Sequence, residues 1–212
     1  QDTGHGRDTL TSIEDLVGGD SGDELTGNGS GNRIDGGGGG DTIVGGDGND
    51  KIKGGGGKDR LDGDAGKDRV DGGGGKDRID GGDDDDRLKG GGGNDKVSGG
   101  DGDDDLDGGK GRDKLNGNAG NDVIEGGIGN DRMNGGAGED SFVFDLDGVR
   151  DLGRDVITGF DAREDDLTFV GVRARDVDVS AADGDTLIDY GSGEILLRGV
   201  ELEEDQIDIT FL

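Results

Sequence analysis

The sequence predicts an all-β molecule: a right-handed parallel β-roll over residues 18–143, a small β-rich C-terminal cap over 144–212, and a degenerate entry repeat at 1–17. Three observations lead there. A nine-residue frame, G-G-x-G-x-D-x-U-x with U large and apolar, runs without slip through residues 18–143 in fourteen copies, and a fixed period is the mark of a stacked repeat. Large apolar residues keep phase with that frame. After Val143 the period disappears and strand-like segments separated by turn residues replace it.

Within each repeat, as in residues 54–62 (GGGGKDRLD), position 1 is Gly in all fourteen copies and position 6 is Asp in all but one, where Asn32 stands. The Gly-rich stretch can take φ > 0 and bring bare carbonyls together, as backbone does around an ion. The x-U-x stretch forms a very short strand of three residues, with the middle side chain on one face and its flanks on the other. Position 8 is Leu25, Ile34, Ile43, Ile52, Leu61, Val70, Ile79, Leu88, Val97, Leu106, Leu115, Ile124, Met133 and Phe142; only Val44, Val123, Ile128 and Val143 join them as large aliphatic or aromatic residues. So short a strand cannot bury itself, but two repeats per coil, stacked coil on coil, make a flattened roll filled by position 8.

These residues resemble the RTX, or haemolysin-type calcium-binding, nonapeptide repeats of secreted bacterial proteins. The resemblance implies a parallel β-roll with calcium ions between loops on the same edge, held by glycine-position carbonyls and position 6 carboxylates in an all-oxygen shell. Same-edge loops lie eighteen residues apart, which sorts the carboxylates into two rows: Asp23, Asp41, Asp59, Asp77, Asp95, Asp113 and Asp131; and Asn32, Asp50, Asp68, Asp86, Asp104, Asp122 and Asp140. The carbonyl donors implied are those of Gly37, Gly39, Gly46, Gly48, Gly55, Gly57, Gly73, Gly75, Gly91, Gly93, Gly100, Gly102, Gly109, Gly111, Gly127 and Gly129. Seven loops leave six gaps per row, so about 8–12 Ca2+ ions are expected. The first gap of each row is the weakest: Asn32 brings no charge, and Ser21 and Ser30 replace the position 4 Gly. Asp64, Asn118 and Asp84 also depart from the glycine pattern. The stretch Asp103-x-Asp105-x-Asp107-Gly108 imitates the start of an EF-hand loop, but Lys114 occupies its twelfth position, where a bidentate Glu is required.

Composition agrees with metal-coupled folding. Hydrophobic residues are 25% and aromatics 3% of the chain, and the net charge is −30, near the range where a chain cannot offset its ordering entropy. The repeat tract holds 30 acidic and 16 basic residues, a net of −14. The metal-free chain is therefore expected to be disordered, with folding and calcium binding a single event. Cysteine is absent, so no disulfide staples the fold. No signal peptide or apolar run of membrane-spanning length appears, and because Gln1 lies in repeat-like sequence the chain is expected to be a fragment of a longer protein.

The cap is read as strands at 142–146, 155–160, 166–172, 176–180, 186–190, 194–200 and 207–212, with Asp183-Gly184-Asp185 and Gly191-Ser192-Gly193 as turns. It closes the exposed end coil of the roll. The segment resembles the region that follows RTX repeats in type I secretion substrates, in the run Gly-x-Asp-x-Ile-x-x-Phe at 153–160 and in its ending, Glu203-Glu204-Asp205 followed by 207–212 (IDITFL). That resemblance implies an uncleaved secretion signal within about the last sixty residues, which equally could be the last strand of the cap.

Catalytic signatures are absent: His5 is the only histidine, which excludes His-Glu-x-x-His, and there is no Cys/His pair and no Gly-x-Ser-x-Gly elbow. Any enzyme is expected in the missing amino-terminal part. Position 7 is often basic (Arg33, Lys51, Arg60, Arg69, Arg78, Arg87, Lys96, Lys114, Arg132) and position 9 often acidic (Asp35, Asp62, Asp71, Asp80). A solvated, mutually compensating surface is the simpler reading of these stripes. The alternative is a face that grips an anionic polysaccharide, as some RTX modules attached to alginate-modifying enzymes do. The expected function is a calcium-binding module that folds outside a bacterial cell and supports type I secretion of a larger exported protein. The alternatives are the polysaccharide-binding or adhesive module and a stabilising appendage of an extracellular enzyme. Expected partners are calcium and, transiently, the type I secretion apparatus, for a monomeric chain with no membrane span and, at this net charge, no nucleic acid.

Overall fold

The structure is a computed structural model that describes residues 7–9, 15–146, 153–173, 176–191, 193–200, 202 and 209–212. His5, most of the entry repeat and the Glu203-Glu204-Asp205 run lie outside the described residues. Among the described residues, apart from a 3₁₀ turn at Asp176, the regular elements are all strands. Alternate repeats fall into two sheets of parallel strands, one built from Asp15–Gly19, Arg33–Gly39, Lys51–Gly57, Arg69–Gly75 and onward, the other from Glu24–Thr26, Thr42–Asp47, Arg60–Ala65, Arg78–Asp83 and onward.

Register follows the eighteen-residue coil. Arg33 pairs with Lys51, Ile34 with Ile52 and Asp35 with Lys53; on the other sheet Lys96 pairs with Arg78, Val97 with Ile79 and Ser98 with Asp80. Position 8 therefore meets position 8 across every coil, and all its residues are buried between the sheets. A one-residue slip would move the whole apolar set to the solvent face, so the period itself enforces the register.

Most strands of the roll are longer than the three residues expected, although Glu24–Thr26 and Val123–Glu125 keep that length. Arg33–Gly39 and Lys51–Gly57 each run for seven residues, because Gly37 pairs with Gly55 and Gly39 with Gly57 across coils. Loops stacked in parallel let their backbone groups pair coil to coil, so the ladder continues into the Gly-rich half of the repeat.

Both sheets continue beyond the nonapeptides at each end. Leu16 is buried and pairs with Ile34, one strand ahead of the first full frame. At the other end Ser141–Asp145 pairs in parallel with Asp166–Val170, which pairs with Ile209–Phe211. Arg132–Ala137 pairs with Gly153–Thr158, and that strand with Gly193–Arg198. The sheet then turns antiparallel through Asp185–Asp189 and Asp178–Ala182. Asp183 and Gly184, both at positive φ, make the turn of this last hairpin. Each of the seven expected strand segments contains a strand, shifted by one or two residues at its ends.

The five Phe residues and the single Tyr all lie in this C-terminal part. Phe144 stacks on Phe169 with centroids 5.4 Å apart, Phe169 stacks on Phe211 at 6.0 Å, and Tyr190 meets Phe169 at 5.6 Å. Phe142 meets Phe160 at 6.0 Å. The thin aliphatic core of the roll thus ends on an aromatic plug.

Candidate metal centre

Position 6 carboxylates are the most buried charged groups of the roll. From Asp41 onward each reaches back one coil: Oδ1 of Asp59 accepts the Asp41 N–H at 2.8 Å, Oδ1 of Asp77 accepts that of Asp59 at 2.9 Å, and on the other edge Oδ1 of Asp86 accepts that of Asp68 at 2.8 Å, whereas Asp23 accepts the Gly19 N–H of its own loop at 2.9 Å. The two rows expected from the sequence are thus two hydrogen-bonded columns. In thirteen of these aspartates, from Asp23 to Asp140, the second carboxylate oxygen is buried with no hydrogen-bond partner.

A buried, unpartnered carboxylate oxygen is costly unless a positive charge stands beside it. The titration of these groups records that cost. Burial pushes Asp86 up to about 8, Asp68, Asp104 and Asp113 up to about 7, and Asp77, Asp122 and Asp131 up to about 6. In each the backbone N–H it accepts pulls the other way and loses.

Glycine backbone carbonyls are the other oxygens that could face an ion. The sixteen glycines expected to donate carbonyls all have positive φ. At position 4 the approach between coils is so close that a Cβ on Gly57 would fall inside the Gly39 carbonyl oxygen. Gly66, Gly82, Gly120, Gly136 and Gly138 also have positive φ, as do Asp64, Asp84 and Asn118, whereas Gly19, Ser21, Asn28 and Ser30 of the first two loops do not. Second carboxylate oxygens lie near carbonyls of the following coil: a Cβ on Gly108 would sit 2.6 Å from the Gly126 carbonyl oxygen and 3.0 Å from Asp113 Oδ2.

Among the described residues no three His, Cys, Asp or Glu side chains gather as a metal cluster. Donors here are instead one or two carboxylates and backbone carbonyls, an all-oxygen set that suits a hard, flexible-coordination cation such as calcium and suits zinc or copper poorly.

A family model for the RTX calcium-binding nonapeptide repeat matches in overlapping stretches that together run across residues 17–142. The chain belongs to this family. Among solved structures, this RTX chain is similar to the extracellular lipase LipA from Serratia marcescens, with 18% identity over 94% of this chain and 40% of that one and a TM-score of 0.35. It is also similar to the AlgE6R3 subunit of the Azotobacter vinelandii mannuronan C5-epimerase, with 27% identity over 61% of this chain and 78% of that one and a TM-score of 0.34. The chain thus spans 40% of the length of the lipase. No curated protein matches it.

The RTX rows differ from the sequence expectation at both ends. Asn32 turns its Oδ1 to the Asn28 N–H of its own loop at 2.8 Å, although its N–H still reaches Asp50 at 2.6 Å. Asp131 and Asp140 are not the last members. The Asp131 N–H donates to Asp155 Oδ1 at 2.8 Å, and the Asp140 N–H to Asp165 Oδ1 at 3.1 Å. Sequence reasoning missed both residues because the intervals are 24 and 25 residues instead of 18. The signal was present: Gly153-x-Asp155-x-Ile157 repeats positions 4, 6 and 8 of the frame, and Asp165-x-Leu167 repeats positions 6 and 8.

On the outer faces the expected stripes are only partly compensated. One sheet alternates acid and base at position 9, with Lys89–Asp107 at 2.6 Å and Lys53–Asp35 at 3.8 Å. The other carries Arg60, Arg78, Lys96, Lys114 and Arg132 in register. None of those five makes an ion pair among the described residues, and beyond Asp62 and Asp80 their neighbouring column is the neutral Ser98, Asn116 and Asn134.

Proposed function

We propose that this chain is a calcium-dependent folding module of an exported protein, and that the position 6 aspartates and position 2 and 4 glycines named above are its ion ligands. The observation that carries this reading is the set of buried carboxylate oxygens left without a donor in thirteen of the fourteen loops. A cation between coils supplies the missing partner, and about 8–12 ions would neutralise the tract. Without them, like charges stacked one coil apart oppose the fold.

Sites of this class in extracellular modules bind at about 10⁻⁴ to 10⁻³ M, so calcium can act as a spatial switch. The chain stays unfolded where calcium is scarce, passes through a type I channel, and folds outside the bacterial cell. What the module accompanies, an enzyme or an adhesin, belongs to the rest of the protein. Circular dichroism checks the reading: strand signal should rise cooperatively as calcium passes through that range, and magnesium, which demands a near-ideal octahedron, should not replace it. A strand spectrum unchanged in strong chelator would count against it.

A second reading rests on the unpaired cation ladder. Five cations spaced at the strand interval of about 4.8 Å face outward, Arg60 and Arg78 beside Asp62 and Asp80 and the other three beside hydroxyl and amide groups, and that neutral-flanked end suits an acidic polysaccharide. Retention on alginate or heparin that is lost when Arg60, Arg78 and Lys96 become Gln supports it; no retention in calcium ends it.

A further inference from the structure

We infer that one ion-binding row continues past the nonapeptides, and that Asp155, together with the Gly129 carbonyl and Asp131, forms a calcium site that clasps the C-terminal strands onto the roll. This rests on the calcium reading above and extends it to a loop outside the matched repeats. The half-loop Gly153-Arg154-Asp155 reproduces Gly111-Arg112-Asp113 residue for residue. Gly111 lies against the Gly93 carbonyl oxygen, and Gly153 lies against that of Gly129, both at positive φ. Arg112 N–H donates to Asn94 Oδ1 at 2.8 Å, and Arg154 N–H to Asn130 Oδ1 at 2.8 Å. Asp95 N–H donates to Asp113 Oδ1 at 2.8 Å, and Asp131 N–H to Asp155 Oδ1 at 2.8 Å.

An independent observation points to a ligand. Asp131 is 1% exposed and its Oδ2 has no partner. In the preceding coil the corresponding Asp113 Oδ2 lies on the side of the following loop, near the Gly126 carbonyl. Were Asp131 the end of its row, no further carboxylate would reach its loop; Asp155 instead brings one, with its Oδ1 on the Asp131 N–H as in every interior coil. The row closes immediately afterwards, since Ile195 stands opposite Asp155 on the next strand. The other row offers no equal case, because both Asp165 oxygens already accept N–H groups, from Asp140 at 3.1 Å and Asp161 at 2.8 Å.

The test counts ions on the full chain. Asn is tolerated at this place in a loop, as Asn32 shows, so Asp155→Asn should fold in saturating calcium and, by native mass spectrometry or equilibrium dialysis, hold one calcium fewer per chain than the unaltered chain. Its calcium midpoint should also move to higher concentration. An unchanged count and midpoint would overturn the inference. Where Asp155→Asn does not reach the folded spectrum, Asp155→Ser, smaller and still an acceptor, gives the same count. Failure of the unaltered chain to bind calcium would instead remove the calcium reading itself, so the two failures are distinguishable.

Discussion

At the scale of single residues, the aspartate column is a set of proton traps as well as ion ligands. In an unfolded chain a carboxyl titrates near about 3.9, whereas burial lifts Asp68, Asp104 and Asp113 to about 7 and Asp86 to about 8 in the folded one. Between those limits the folded chain binds protons that the unfolded chain has released, so metal-free stability rises as pH falls through about 8 toward 4. In calcium the sign reverses, because proton and ion compete for the same oxygens. Thus a chelated sample should gain strand signal on acidification from pH 8 to pH 5, while the calcium midpoint climbs over the same interval. Dichroism titrations at several pH values measure both. A midpoint independent of pH would mean that the carboxylates are not buried as described.

At the scale of the repeat, backbone conformation matters more than side-chain identity, and two adjacent glycines separate the effects. Gly57 has φ of 145° and its Cβ would overlap the Gly39 carbonyl, whereas a Cβ on Gly56 meets nothing within 4 Å. Gly57→Ala should therefore cost about 1–3 kcal/mol from overpacking alone and raise the calcium midpoint, while Gly56→Ala should stay within about 0.5 kcal/mol of the parent. Equal midpoints for the two would show that coils are not stacked this closely. The repeat frame made this geometry legible: the period fixed both sheets, position 8 the core, and position 6 the two columns. Strand length was not legible, since continuing a ladder through Gly37 to Gly39 depends on another coil lying beside it. Asp64, Asp84 and Asn118 break the glycine pattern without breaking its backbone conformation. All three hold the positive φ of the glycines they replace, because short polar side chains that bond locally tolerate that region. Asp155 and Asp165 escaped notice for a similar reason, in that insertions before them break the phase while the coil-to-coil contact persists.

At the scale of the whole molecule, the roll is a stack in which each coil contacts only its neighbours, so stability builds from a nucleus and spreads. The two ends are unequal candidates for that nucleus. Of the 24 buried hydrophobic residues among those described, nine lie beyond Val143, including Phe144, Phe160, Phe169 and Tyr190, and only Leu16 precedes Gly18. An interior coil buries two aliphatic side chains, each worth about 1.5–3 kcal/mol, against the ordering of eighteen residues at about 1–2 kcal/mol apiece before any ion binds. No such coil can start alone. The aromatic plug concentrates its apolar area in a short length of chain and presents a finished sheet edge to Arg132–Ala137 and Ser141–Asp145. Folding should then spread from 126–143 toward the amino terminus. A chain ending at Val143 should show a greatly weakened or absent calcium transition, because its last coil has lost both the plug and Asp155. Removing residues 1–17 should shift the midpoint only slightly, since among the described residues it takes one core side chain, Leu16, and leaves the nucleus whole. Calcium titrations of the two truncations decide the matter. If the chain cut after Val143 folds at the calcium concentration that folds the full chain, nucleation does not reside in the C-terminal strands.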